Sequence, residues 1–301
     1  MSIKKIFKPI FAAFFLLAFS SASFGLYAGS NKVIYRQFDW QILMTNNFDI
    51  YYYPEEKALA EDVAIIAEKA YHSVTTDLRV VLEERVPLFI FRNHQDFEQT
   101  NVLSGVLSEG IGGVTEALKN RILVPAVPSL EGLQDVIQHE FAHRCQFEVL
   151  YGGEGKSYRL LRSVFVPLWI MEGMAEYETI DDNAPQTDML VRDAVVNDRL
   201  VSIQHLDSFN HVDGRDVVLL YKLSASIFKF IAKKYGRDKA GLLLREYQRP
   251  QVTLYFALKH VLGISDEELN KKWTAWLKEK YWAQVIGKKD AEYYGNALTV
   301  D

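Results

Sequence analysis

Apolar positions along the chain change their spacing about two fifths of the way through. Before that point, short apolar runs are bounded by polar and turn residues: Phe48 to Tyr53 (FDIYYY), Val86 to Arg92 (VPLFIFR) and Arg121 to Pro125 (RILVP) read as strands. Between the first two, Glu55 to about Leu82 is rich in Ala, Glu, Leu and Lys and predicts a long helix. A glycine-rich turn, Gly110 to Gly113, leads into Thr115 and Glu116 before the third strand. From about Leu130 the patterns are almost all helical: one helix through about Leu150, another from Pro167, a third around Val217 to Tyr235, and more to Trp282. The expected class is therefore α+β, a small mixed sheet with helices in front of a mostly helical half.

Composition narrows the picture. Apolar residues make up 49% and charged residues 24% of 301 residues, as in an ordinary globular protein. A formal net charge of -5 and a pI of about 5.9 leave no basic footprint, so nucleic acid is excluded as an expected partner. The first residues read as an export signal: Lys4, Lys5 and Lys8 precede an apolar run from Pro9 to Phe19, and Ser20 to Ser23 are small. Residues 1–29 are expected to be a signal peptide, with a mature terminus between Ser23 and Ser30 and a periplasmic or secreted product. The alternative is an uncleaved membrane anchor, since the apolar stretch extended to Tyr27 approaches the roughly 20 residues a span needs. A catalytic domain is expected over residues 30–283, followed by a polar tail, 284–301. The single cysteine, Cys145, cannot form an internal disulfide and reads as core.

The candidate chemistry begins at His139-Glu140-Phe141-Ala142-His143. Residues four apart advance about 400° around a helix, so both imidazoles share a face one turn apart and reach one metal. Glu140 stands about 100° from His139, beside the metal without ligating it, where a base acting on a metal-activated water belongs. Leu133, Val136, Ile137 and Phe147 fall on the same arc and turn that face inward. A catalytic zinc site usually takes three protein ligands and one open position, so a third ligand is expected. The metzincin pattern fails, because Gln146 and Val149 stand where it needs Gly and His. Glu148 lies five residues past His143 and is rotated off the face. Glu154 in a Gly-rich loop, and Glu172 and Glu176, which share one helical face, stay open as ligands.

Pro167-Leu168-Trp169-Ile170-Met171-Glu172-Gly173-Met174-Ala175-Glu176-Tyr177 supplies a helix start and a glycine suited to close helix approach. HEFAH followed by this segment resembles the gluzincin peptidases, in particular peptidase MA-like domains, and the resemblance runs from about Phe48 to Tyr281. It implies a zincin-like fold, one Zn2+ per chain held by His139, His143 and Glu172, and Glu176 orienting a ligating histidine. It also implies Tyr221 as a donor to the oxyanion, and an edge strand at Gly113, Thr115 and Glu116 along which an extended peptide substrate pairs. His205 and His211 read as surface or loop histidines. Some relatives in that family carry a β-propeller after this domain, which leaves a separate propeller chain as an open partner. The expected function is an exported zinc metallopeptidase with Glu140 as general base. The competing reading is a catalytically silent scaffold or binding module on the same fold, membrane-anchored if the signal is retained.

Overall fold

A computed structural model describes residues 37–100, 112–117, 119–152, 166–179, 185–207, 214–249 and 251–288. The expected signal segment, Gly110, Glu154, His211 and the tail from residue 289 lie outside the described residues. The strands are β1 (Gln41–Met44), β2 (Phe48–Tyr52), β3 (Val86–Phe91), β4 (Val114–Glu116) and β5 (Arg121–Pro125). The helices are α1 (Lys57–Leu78), α2 (His94–Glu98), α3 (Leu130–Tyr151), α4 (Leu168–Thr179), α5 (Pro185–Val196), α6 (Gly214–Tyr235), α7 (Lys239–Glu246), α8 (Leu254–Leu262) and α9 (Asp266–Val285). Strands in front and helices behind make the fold α+β, as the patterning implied.

The five strands form one mixed sheet in the order β1-β2-β3-β5-β4. β2, β3 and β5 run parallel, while β1 and β4 pair antiparallel at the two edges. Alternation along the pleat sends Phe48, Ile50, Leu88, Ile90, Ile122 and Val124 into the main core, against α1 and α3. Phe141 of α3 meets Phe48 at 5.3 Å between ring centroids and fixes that helix beneath the sheet. The other face carries a smaller aromatic cluster in which Trp40 stacks on Tyr53 at 4.8 Å.

Two expected boundaries move for local reasons. α1 ends at Leu78 rather than near Leu82, because Arg79 takes a left-handed conformation (φ 50°) and its N–H and that of Val80 return to the carbonyls of Thr76 and Thr75. On α3, the fully buried stripe is Leu133, Ile137, Phe141, Ala142, Cys145 and Val149, whereas Val136 and Phe147 are only half-buried. The helix thus has an apolar side under the sheet and a separate polar face. Ser129 caps its start, accepting from the Gly132 N–H at 3.0 Å.

Behind α3 lies α4, and behind α4 lies α6. Gly173 makes the second contact possible: a Cβ there would stand 2.6 Å from Ser224 Cβ and 2.7 Å from the Ser224 backbone carbon, so only a hydrogen lets the two helices approach this closely. Three layers of helix are thereby aligned under the edge of the sheet. Among the described residues, no helix is long and apolar enough to cross a membrane.

Candidate metal centre

The polar face of α3 presents His139 and His143 one turn apart, with ring centroids 4.7 Å apart and planes at 83°. Their Nε2 atoms lie 3.1 Å from each other, and Glu172 Oε2, reaching over from α4, lies 3.5 Å from the first and 3.3 Å from the second. The ligand atoms of the three residues all fall within 4.8 Å of one another. Two imidazole nitrogens and one carboxylate oxygen converging on a point make a donor set suited to zinc, which in catalytic sites takes three protein ligands.

Electrostatics favour a cation at that point. Burial alone would strip the proton from His143, but the adjacent Glu172 carboxylate, helped by Glu140 and Gln146, outweighs it and raises the ring to about 9. Burial likewise pushes Glu172 up, yet His143 and His139 together hold it well below the usual carboxylate range. The recess is built to hold positive charge between these three side chains.

Around this centre the outer contacts are specific. Glu176, one turn beyond Glu172, places Oε2 3.9 Å from His139 Nδ1, an ion-pair separation longer than a hydrogen bond. Its other oxygen takes a hydrogen bond from Lys222 of α6. Gln146 Oε1 lies 2.8 Å from His143 Nδ1, while its Nε2 donates to the Met171 carbonyl at 2.8 Å. Tyr221 sits beside His139, 6.4 Å between centroids, and its hydroxyl bonds Glu172; burial first, then the Glu172 charge, pushes its pKa upward.

Glu140 turns to the strand side of α3 and is buried at 7% exposure. The Thr115 hydroxyl stands 2.6 Å from its Oε2 and 2.8 Å from its backbone oxygen. A hydroxyl has one proton, and the charge-assisted bond to the carboxylate is the stronger of the two. The chain entering β4 passes directly over the acid: a Cβ on Gly113 would fall 2.8 Å from Glu140 Cγ, so any side chain there would push the Glu140 side chain aside. The register Thr115↔Ile122 and Glu116↔Arg121 makes β4 the terminal strand, and Glu116 is ion-paired with Arg121 and Lys119.

His139, Glu140, His143, Glu172, Glu176, Tyr221, Gly113 and Thr115 are thus brought into one region by α3, α4, α6 and β4. Thr115 belongs to it through Glu140, a contact that strand patterning did not suggest. Gln146 and Lys222 also went unread. Gln146 had counted only against a metzincin pattern, and Lys222 was hidden among the lysines of an amphipathic helix. His205 is exposed in a short turn and bonds Ser202 at 2.7 Å, outside the centre. Cys145 is buried on the opposite side of α3.

A comparison with family models matches the Peptidase MA superfamily over residues 66–279. No curated protein matches the chain.

Proposed function

Since this chain belongs to the Peptidase MA superfamily and has a peptidase-like hydrolase domain of zincin type, we propose that it is an active zinc-dependent peptidase acting outside the cytoplasm. The observation that carries this reading is the convergence of His139 Nε2, His143 Nε2 and Glu172 Oε2 next to a buried, hydrogen-bonded Glu140. Those three residues would hold zinc, which when bound polarises a scissile carbonyl and acidifies a water.

The remaining steps fall to the chain's own groups. Glu140 accepts the proton of the attacking water and returns it to the leaving amine, so a full cycle restores the carboxylate. Thr115 holds one oxygen of that carboxylate by a hydrogen bond and so fixes its orientation. Tyr221, with a hydroxyl whose proton is retained by burial and by its acidic surroundings, would turn that proton from Glu172 to the oxygen on which charge develops. β4, an edge strand over the base, offers backbone groups to an extended peptide, which would place a scissile bond between strand and helix.

The test is zinc stoichiometry combined with peptide-library cleavage. Wild type should carry about one zinc per chain. Glu140→Gln should keep zinc and fold while turnover falls at least about 100-fold, the scale of general base catalysis. Undiminished cleavage by that variant would remove Glu140 from its role. Export is tested separately by the mass of the secreted or periplasmic product, which should begin between Ser23 and Ser30. Recovery only in membranes with the amino terminus intact would replace export by anchoring.

A further inference from the structure

α3 and α4 cross antiparallel, and their residues pair in reverse order: Gln146 with Met171, His143 with Glu172, His139 with Glu176, and Gln138 with Glu178. The ligand set depends on that register, since a slip of one residue moves a helix by about 1.5 Å and takes Glu172 away from one of the two imidazoles. Gln146 and Gln138 bracket the set at its two ends. Each donates its amide to a backbone carbonyl of α4, that of Met171 and that of Glu178. Only Gln146 also touches a ligand.

We propose that Gln146 is the positioning residue of the metal centre, fixing the tautomer of His143 and the place of Glu172 with one side chain. The inference rests on reading His139, His143 and Glu172 as the metal site. Its chain of causes begins at a backbone atom. The Met171 carbonyl can only accept, so the Gln146 amide must turn Nε2 toward it. Oε1 then faces His143 Nδ1 at 2.8 Å and, as an acceptor, requires the proton of the neutral ring to be there. The lone pair is left on Nε2, which points at Glu172 and His139. Met171 immediately precedes Glu172, so the same amide that sets the tautomer ties down the start of the turn carrying the third ligand. Gln146 is fully buried, and water cannot replace either bond.

The experiment measures zinc affinity by competition with a chromogenic chelator, alongside thermal unfolding of the metal-free proteins. The set is wild type, His143→Ala, Gln146→Leu, Gln146→Glu and Gln138→Leu. Gln146→Leu should weaken zinc about 10–100-fold, the usual cost of losing a partner of a ligating histidine. Gln146→Glu should lose less affinity than Gln146→Leu, because a carboxylate still accepts from His143 Nδ1, while its melting temperature falls with the lost bond to Met171 and Glu172 is held less firmly. Gln138→Leu should lose melting temperature and keep its zinc affinity. Wild-type affinity in Gln146→Leu while His143→Ala has lost zinc would overturn this inference alone, and undiminished zinc in His143→Ala would overturn the underlying site. Equal weakening in Gln138→Leu and Gln146→Leu would reduce Gln146 to a general helix clamp and also overturn the proposal. Should Gln146→Leu not fold, Gln146→Glu decides, since it keeps the acceptor for His143, and a loss of zinc as complete as in His143→Ala contradicts the proposal.

Discussion

Glu172 and Glu176 share one face of α4, yet their surroundings separate their roles. Glu172 Oε2 is within 3.5 Å of both Nε2 atoms, whereas Glu176 meets only the far nitrogen of His139, at 3.9 Å, and is bound to Lys222. Glu172→Ala should therefore abolish most zinc binding, while Glu176→Ala should weaken affinity about 10–100-fold and be refilled by excess zinc. Titration giving the reverse order would exchange their assignments. A third acid of the same helix, Glu178, points away from the centre into the protein. Its Oε1 is buried without a hydrogen-bond partner among the described residues. Burial, then the nearby Asp77 charge, raises its pKa to about 8, with Arg237 pulling weakly the other way. The folded state thus keeps this proton up to about pH 8, and the unfolded chain releases it near the ordinary glutamate value of 4.5. A raised folded pKa gives stability that is complete below 4.5 and lost as pH climbs toward 8, at up to about 1.4 kcal/mol per pH unit. Glu178→Gln keeps the neutral shape and removes the titration. Melting temperatures of chelator-treated protein between about pH 5 and 8 should fall less steeply in that variant than in wild type. Parallel slopes would locate the pH dependence elsewhere.

At the scale of elements, the decisive contact is the crossing of α4 on α6. Gly173 follows the ligand Glu172 and packs on the backbone of Ser224, and the partners of Glu172 and Glu176, Tyr221 and Lys222, lie within the turn before that crossing. A methyl at residue 173 meets a backbone carbon at 2.7 Å, which cannot swing aside as a side chain would. Gly173→Ala should cost about 1–3 kcal/mol and lower zinc affinity together with stability, because α4 moves off α6 and carries Glu172 with it. Gly241→Ala is the matched control: its Cβ would meet the Leu78 carbonyl oxygen at 2.9 Å, far from the ligands, so stability should fall while zinc affinity holds. Chelator competition and unfolding on the two variants separate these outcomes. The same crossing explains what could be read from the sequence. α3 announced itself through Ser129, twenty-two residues of helical pattern and a four-residue histidine spacing, all local features. The closeness of α4 to α6 was foreshadowed by Gly173, but its partner, Ser224, is an ordinary serine fifty-one positions away. β1 is not legible in the sequence because Ile42, Leu43 and Met44 are apolar in succession yet mostly exposed, so no alternation marks the strand. Gln146 escaped because an amide carries its meaning in what it faces.

For the whole molecule, the question is whether the metal holds the fold together or is held by it. The main core runs without a break from the sheet through α1, α3, α4 and α6 to Trp273 and Leu277 of α9, and none of the three ligands contributes apolar surface to it. The helices that carry the ligands are fixed by packing at Phe141, by the glycine contact at Gly173 and by the amides of Gln138 and Gln146. These contacts do not require an ion. Removing the metal should therefore leave a folded protein whose His143 and Glu172 pair with each other, as the opposed pKa shifts of the two groups indicate. Zinc then adds stability by mass action on the folded state alone, about 4 kcal/mol when free zinc exceeds the dissociation constant a thousandfold. For a domain of this size that corresponds to a melting shift on the order of 10 °C. Chelation should lower the melting temperature by such an amount with the helical circular dichroism intact, readdition of zinc should restore it, and the shift should grow with the logarithm of zinc concentration. His143→Ala should show almost none of this dependence. Collapse of the helical signal on chelation would instead make the metal structural, and a scaffold that needs its ion to fold would then become the better reading of the chain.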